Sequence, residues 1–253
     1  MISVGIDVGA KNIKILMLRD NEIIAKDKAP AGFEAKENAV ALYDKILKET
    51  GTSKEQIDSI TSTGSGRKDI GFAHRSVTDV TAVTKGAVSL NPAIRTVIDV
   101  GAEEGRGIRC NDKGKIIDFS INEKCAAGSG AFVEAMSRAL EIPIEEFGPL
   151  ALESDKEIPM NAQCAVFAES EVVSLMHAKT EKKDIAKAIT DAIASRISSM
   201  VRKVGFEKEI AVVGGVAYNV GFIRSINNLL ETDVIVLNNP EYIGALGAAL
   251  ITE

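Results

Sequence analysis

The stretch Ile6-Asp7-Val8-Gly9-Ala10-Lys11-Asn12-Ile13-Lys14 decides the fold. An apolar run, Ile2–Asp7, ends on an acid and a glycine, and a second, β-branched run, Ile13–Leu18, follows at once. Asn21-Glu22 then turns the chain into Ile23-Ile24, so it opens as a strand meander. An aspartate at a strand tip followed by glycine lets backbone N–H groups approach a phosphate while the carboxylate holds a hydrated Mg²⁺. One Asp-x-Gly alone is more often an ordinary turn.

The pattern occurs twice. Arg95–Val100 reads as a strand ending in Asp99-Val100-Gly101, and Gly107–Arg109 and Lys115–Phe119 complete a second meander around Asp112-Lys113-Gly114. The expected fold is α/β, with two related halves around a nucleotide cleft, joined near Asn91-Pro92. Residues 1–92 form the first half, completed by the C-terminal helix 241–253, and residues 93–240 form the second. Asp7 and Asp99 are expected to face each other across the cleft, with Lys14 and the Gly64/Gly66 loop nearby.

Between these landmarks, Ala39, Val40, Leu42, Tyr43, Ile46 and Leu47 place a helix over Ala35–Thr50, stopped by Gly51. Ile57–Ser62 reads as a strand running into Thr63-Gly64-Ser65-Gly66-Arg67. Thr78–Leu90 reads as a helix ended by Asn91-Pro92. Later come a helix, Lys183–Val204, a strand, Glu209–Val213, the loop Gly214-Gly215, a helix, Gly221–Leu230, and a strand, Asp233–Leu237. The last helix, Tyr242–Ile251, is rich in small residues and suited to close packing between the halves.

With 253 residues, 45% of them hydrophobic, the chain can bury a sizeable core. A net charge of −6 argues against a phosphate-neutralising surface, so nucleic acid is not an expected partner. Met1-Ile2-Ser3-Val4-Gly5 lacks the charged start of an export signal, and no apolar run reaches spanning length. A cytoplasmic protein without a membrane partner is expected.

Cys125, in Lys124-Cys125-Ala126-Ala127-Gly128-Ser129-Gly130, and Cys164, in Gln163-Cys164-Ala165-Val166-Phe167, each stand where a polar segment gives way to a helical pattern. Unsatisfied N–H groups and the helix dipole favour negative charge there, which suits a thiolate or an anionic iron–sulfur cluster. A lone cysteine is usually a small buried apolar residue. Two in matching contexts favour a shared ligand role. A cubane cluster takes about four thiolates, so two chains, each giving Cys125 and Cys164, would hold one cluster on the axis between them. Cys110 ends a strand and reads as structural.

These motifs resemble those of the acetate and sugar kinase/Hsp70/actin superfamily of ATPases, whose halves have the actin-like, ribonuclease H-like fold. Asp7-Val8-Gly9 matches its first phosphate motif and Asp99-Val100-Gly101 its second. Val213-Gly214-Gly215-Val216-Ala217 matches its adenosine motif, and Gly244-Ala245-Leu246-Gly247-Ala248-Ala249 its second connecting helix. The two cysteine segments look like the cluster-binding motifs of 2-hydroxyacyl-CoA dehydratase activators and of the ATPase subunits of ATP-dependent benzoyl-CoA reductase.

That resemblance implies an ATP-driven donor of single electrons. Its cofactors would be ATP, Mg²⁺ and one 4Fe–4S cluster per homodimer or pseudo-symmetric heterodimer. Its partners would be reduced ferredoxin or flavodoxin as electron source and an acyl-CoA dehydratase or reductase component as acceptor. The implied nucleotide contacts are Gly9, Ala10, Lys11, Asn12, Lys14, Gly64, Gly66, Gly101, Ala102, Gly214, Gly215 and Ala217, with Asp7, Asp99 and Glu103 as catalytic groups. Two departures stand out. Family activators carry Gly-Gln-Asp where this chain reads Gly101-Ala102-Glu103-Glu104-Gly105, which makes Glu103 the positional candidate for orienting water and looks more like the reductase subunits. Gly9-Ala10-Lys11-Asn12 lacks the usual Ser/Thr, leaving Lys11 or Asn12 to contact phosphate. The competing reading is a sugar or pantothenate type kinase with both cysteines in the core and Glu103 as base. A non-catalytic assembly module on this fold has no positive feature.

Overall fold

Each polar hairpin tip ends a pair of antiparallel strands to which further strands are added, and the result is two five-stranded sheets. The computed structural model describes residues 1–122, 129–160 and 165–252. The chain forms two compact units: Met1–Ile94 with Cys110–Ile116 and Glu241–Glu253, and Arg95–Arg109 with Ile117–Pro240.

The first unit contains β1 (Ile2–Val8), β2 (Asn12–Arg19), β3 (Glu22–Pro30), α1 (Ala35–Thr50), β4 (Ser59–Thr63), β5 (Arg75–Ser76) and α2 (Asp79–Leu90). Its sheet order is β3-β2-β1-β4-β5, with β1 antiparallel to β2 and parallel to β4. The two-residue period of a strand sorts the faces. Val4, Ile6, Val8, Ile13, Ile15 and Met17 share one core with Ala39, Leu42, Tyr43 and Ile46 of α1. Leu16 and Leu18 pack on the opposite face, and parity puts Asp7 on that face too. Helix α1 spans the residues its periodicity predicts, and Gly51 caps it at φ 63°. Strand β3 is longer than Ile23-Ile24 because it lies at the sheet edge, where half-exposed polar residues hide the apolar signal.

The second unit contains β6 (Thr96–Val100), β7 (Gly105–Cys110), β8 (Ile116–Asn122), α3 (Gly130–Ala139), α4 (Ile144–Leu152), α5 (Ala165–His177), α6 (Lys182–Val204), β9 (Ile210–Val213), α7 (Val220–Leu230) and β10 (Ile235–Val236). Its order, β10-β9-β6-β7-β8, repeats the first: β6 is antiparallel to β7 and parallel to β9. Ile98 and Val100 face a core built with Phe132, Met136, Phe147, Phe222 and the α6 stripe Ile185, Ile189, Ile193 and Ile197. Parity places Asp99 opposite. Helix α4 has no clear sequence signal, because Pro149 and Gly148 interrupt its pattern. It forms because Phe147 and Ala151 are buried against its neighbours, and α4 packs on α6 and α7.

The chain ends in α8 (Ile243–Ala249), every residue of which is buried, and which packs on β1 and α2 of the first unit. A Cβ at Gly247 would lie 1.7 Å from the Ala82 carbonyl oxygen, so the two helices touch through their backbones. This is the close packing that the small-residue pattern predicts, made inside one unit. Cys110 is buried, its Sγ 3.6 Å from the Ile94 carbonyl oxygen. Among the described residues no helix is long and apolar enough to cross a membrane.

Candidate functional site

In the first unit the site begins with a strand register. Asp7, at the end of β1, pairs across the sheet with Lys14 on β2 and with Thr63 on β4. Paired residues point to one face, and Lys14 Nζ donates to Asp7 Oδ2 at 3.0 Å. Both side chains are mostly buried. Thr63 Oγ1 is buried without a hydrogen-bond partner, beside Asp7 in register. Gly9 N–H donates to the Asn12 carbonyl at 3.1 Å, closing the tip at Ala10-Lys11.

Glycines line the carboxylate. Gly64 has φ +92°, and a Cβ there would lie 2.3 Å from the Val8 carbonyl oxygen and 2.7 Å from Asp7 Oδ1. Gly66 N–H donates to the same Val8 carbonyl at 3.0 Å. A Cβ on Gly244 of α8 would come within 3.4 Å of Asp7 Oδ2. The first unit therefore holds a mostly buried acid, a cation bonded to it, an unpaired hydroxyl and a cradle with no side chains.

The second unit repeats this plan. Asp99 pairs across the sheet with Arg106, seven residues on, as Asp7 pairs with Lys14. Arg106 Nη1 donates to Asp99 Oδ2 at 2.7 Å. Gly101 N–H donates to the Glu104 carbonyl at 2.9 Å, the counterpart of the Gly9–Asn12 bond. Gly214 has φ +86°, and a Cβ there would lie 2.3 Å from the Val100 carbonyl oxygen and 2.9 Å from Asp99 Oδ1. Gly214 is thus the second unit's Gly64. Gly215 is exposed, whereas Ala217 is turned into the core of its unit. Ala102 borders the tip and Glu103 is exposed at it.

Glu104 and Arg106 are the residues that sequence reasoning missed. The available signal was the seven-residue spacing from acid to cation in both hairpins. Arg106 Nη2 also donates to Glu104 Oε2, so one guanidinium spans two carboxylates.

The hairpin tip continues into α3. The carbonyl oxygens of Gly101 and Ala102 accept from the N–H groups of Gly130 and Ala131, both at 2.8 Å. The sequence leaves the first amides of this helix open to a bound anion. In the structure two of them are satisfied by the tip, because the chain re-enters the helix directly beside it. Cys125 and Cys164 lie outside the described residues. Helix α5 begins at Ala165, and α3 and α5 pack on each other through a core that includes Phe132, Ala168 and Val172. Asn122, the last residue of β8, accepts at its Oδ1 from Arg196 of α6 at 3.0 Å. Among the described residues no group of three or more His, Cys, Asp or Glu side chains could hold a metal ion.

A model of the BadF/BadG/BcrA/BcrD ATPase family matches residues 4–252. The activator of lactoyl-CoA dehydratase from Anaerotignum propionicum is 38% identical over 99% of this chain and 96% of its own. A benzoyl-CoA reductase subunit from Thauera aromatica is 31% identical over 98% of this chain and 92% of its own. Among solved structures, the activator of 2-hydroxyisocaproyl-CoA dehydratase from Clostridium difficile, with bound ADPNP, superposes with a TM-score of 0.93 at 31% identity. That alignment covers 100% of this chain and 94% of the other.

Proposed function

Because the chain belongs to the BadF/BadG/BcrA/BcrD ATPase family, we propose that it couples ATP hydrolysis to the delivery of single electrons to an acyl-CoA dehydratase or reductase. Full-length similarity to a dehydratase activator and to a reductase subunit supports this class of partner. Of these two, the activator is the more similar overall, although the Glu103-Glu104 variant looks locally like the reductase subunits.

The nucleotide reading has support in both units. Asp7 and Asp99 are assigned to Mg²⁺ and its waters, since each presents a strand-end carboxylate against which a glycine, Gly64 or Gly214, packs without a side chain. The orphaned Thr63 hydroxyl fits the same role as a partner for bound water. Lys14, with Lys11 or Asn12, supplies charge and donors to phosphate. Gly9, Ala10, Gly64, Gly66, Gly101 and Ala102 are assigned to the phosphates and Gly214, Gly215 and Ala217 to the adenosine. The N–H groups of Gly9, Gly66 and Gly101 are bonded within the chain and Ala217 is turned into the core, so those contacts would need other backbone atoms or a local shift. Glu103, exposed at the second tip, orients the attacking water.

The donor set fits a shared cluster: two thiols per chain in matching contexts, against about four needed by a cubane. Cys125 and Cys164 from each of two chains would hold it, and a bound 4Fe–4S cluster would supply one-electron chemistry. Reduced ferredoxin or flavodoxin is the proposed electron source. The observation that carries the coupling is the pair of 2.8 Å hydrogen bonds from the start of α3 to the Asp99 hairpin tip. Those bonds use two of the amides that would otherwise favour extra negative charge. The stabilisation forgone is a fraction of the ~0.3–2 kcal/mol that a helix terminus offers. A 4Fe–4S cluster held beside this helix start would lose that support for its reduced state, the direction a strong reductant needs.

Anaerobic protein reduced with dithionite is expected to convert ATP to ADP and inorganic phosphate while passing electrons to a 2-hydroxyacyl-CoA dehydratase component, and to pass none without ATP. Transfer of the phosphoryl group to a sugar or to pantothenate would instead establish a kinase.

A further inference from the structure

We infer that Arg106 is a positioning residue for ATP hydrolysis, acting through Asp99 and Glu104 to set the hairpin tip against both the phosphate site and α3. The inference rests on the ATPase reading and not on the cluster.

The two hairpins are built alike but closed differently. Where the first has Asn12 and Lys14, the second has Glu104 and Arg106. A lysine is a point charge suited to a single carboxylate, and Lys14 bonds Asp7 in this way. An additional acid at the tip calls for a cation that can hold two carboxylates at fixed angles, which a planar guanidinium does. Arg106 is buried and uses separate nitrogens for Asp99 and Glu104.

The bonded residues bracket the turn. Asp99 precedes it on β6, and the Glu104 main-chain carbonyl closes it by accepting the Gly101 N–H at 2.9 Å. Within that bracket lie Glu103 and the two carbonyls that accept from Gly130 and Ala131. One side chain therefore ties the acid assigned to Mg²⁺ to the far end of the turn that carries Glu103 and the two carbonyls bonded to α3. Loosening it should slow hydrolysis without emptying the nucleotide site, and should free the start of α3.

The test uses full-length Glu104→Gln and Arg106→Lys. Glu104→Gln alters a side chain that is 36% exposed and keeps its shape, so it should fold. Both variants are expected to bind Mg²⁺–ADP within about threefold of wild type and to lose about tenfold or more in kcat, with KM little changed. Hydrogen exchange at Gly130 and Ala131 should accelerate about tenfold, with α6 and β9 as protected as before. Unchanged kcat and unchanged exchange in Glu104→Gln, with wild-type ADP binding intact, would overturn the inference alone. So would faster exchange spread evenly over the second unit, which would mean that the pair only supports the fold. If the wild-type protein bound no Mg²⁺–ADP, the ATPase reading would fall and this inference with it.

Discussion

Cys125→Ser and Cys164→Ser are each expected to abolish cluster binding, while Cys110→Ser leaves it intact. A symmetric pair of chains has two copies of each motif cysteine, four thiols in all, so a single substitution removes two ligands of about four. Serine does not replace a thiolate as a soft ligand. Cys110 differs in kind: it is buried, with its Sγ against the Ile94 carbonyl, and it ends a strand rather than preceding a helix. Iron content and visible absorption of anaerobically prepared variants are the readouts. A full cluster in either the Cys125 or the Cys164 variant would refute the ligand assignment.

The second large effect is expected at the phosphate site. Asp99→Ala should lower ATP turnover by at least about 100-fold, or about 2.7 kcal/mol, because it removes the carboxylate assigned to Mg²⁺ and its waters. Asp7→Ala should do the same. Both variants should keep whatever iron the wild-type protein binds, since the proposed ligands Cys125 and Cys164 belong to other segments. Asp99→Asn serves as a control for folding: it retains an oxygen that Arg106 can still reach and loses only the charge. Wild-type turnover in Asp99→Ala would remove the assignment.

The parts of the fold legible in the sequence were those whose signal is local. Asp7-Val8-Gly9 and Asp99-Val100-Gly101 announced the repeat because each ends a run of strand periodicity, and the structure repeats the same strand order around them. Helix α1 was readable to its ends because its buried stripe and Gly51 agree. Helix α4 was not, since tertiary burial of Phe147 overrides an interior proline. The candidate acids and glycines stand out in the sequence, but their pairings do not. Gly214 matches Gly64 only once the parallel pairings of β4 with β1 and β9 with β6 are known. Arg106 joins Asp99 only through the β6–β7 register. The contact of Gly101 and Ala102 with the start of α3 joins residues nearly thirty positions apart, and no sequence period reports such a contact.

In the proposed function two chains share one cluster through Cys125 and Cys164. Native mass measurement on anaerobically purified protein tests it most directly, since it reads chain count and bound iron and sulfide in the same particle. The expected particle has two chains and a single 4Fe–4S unit, with no loaded single chain. A single chain carrying a full cluster, or a protein free of iron and sulfide under strictly anaerobic handling, would contradict it.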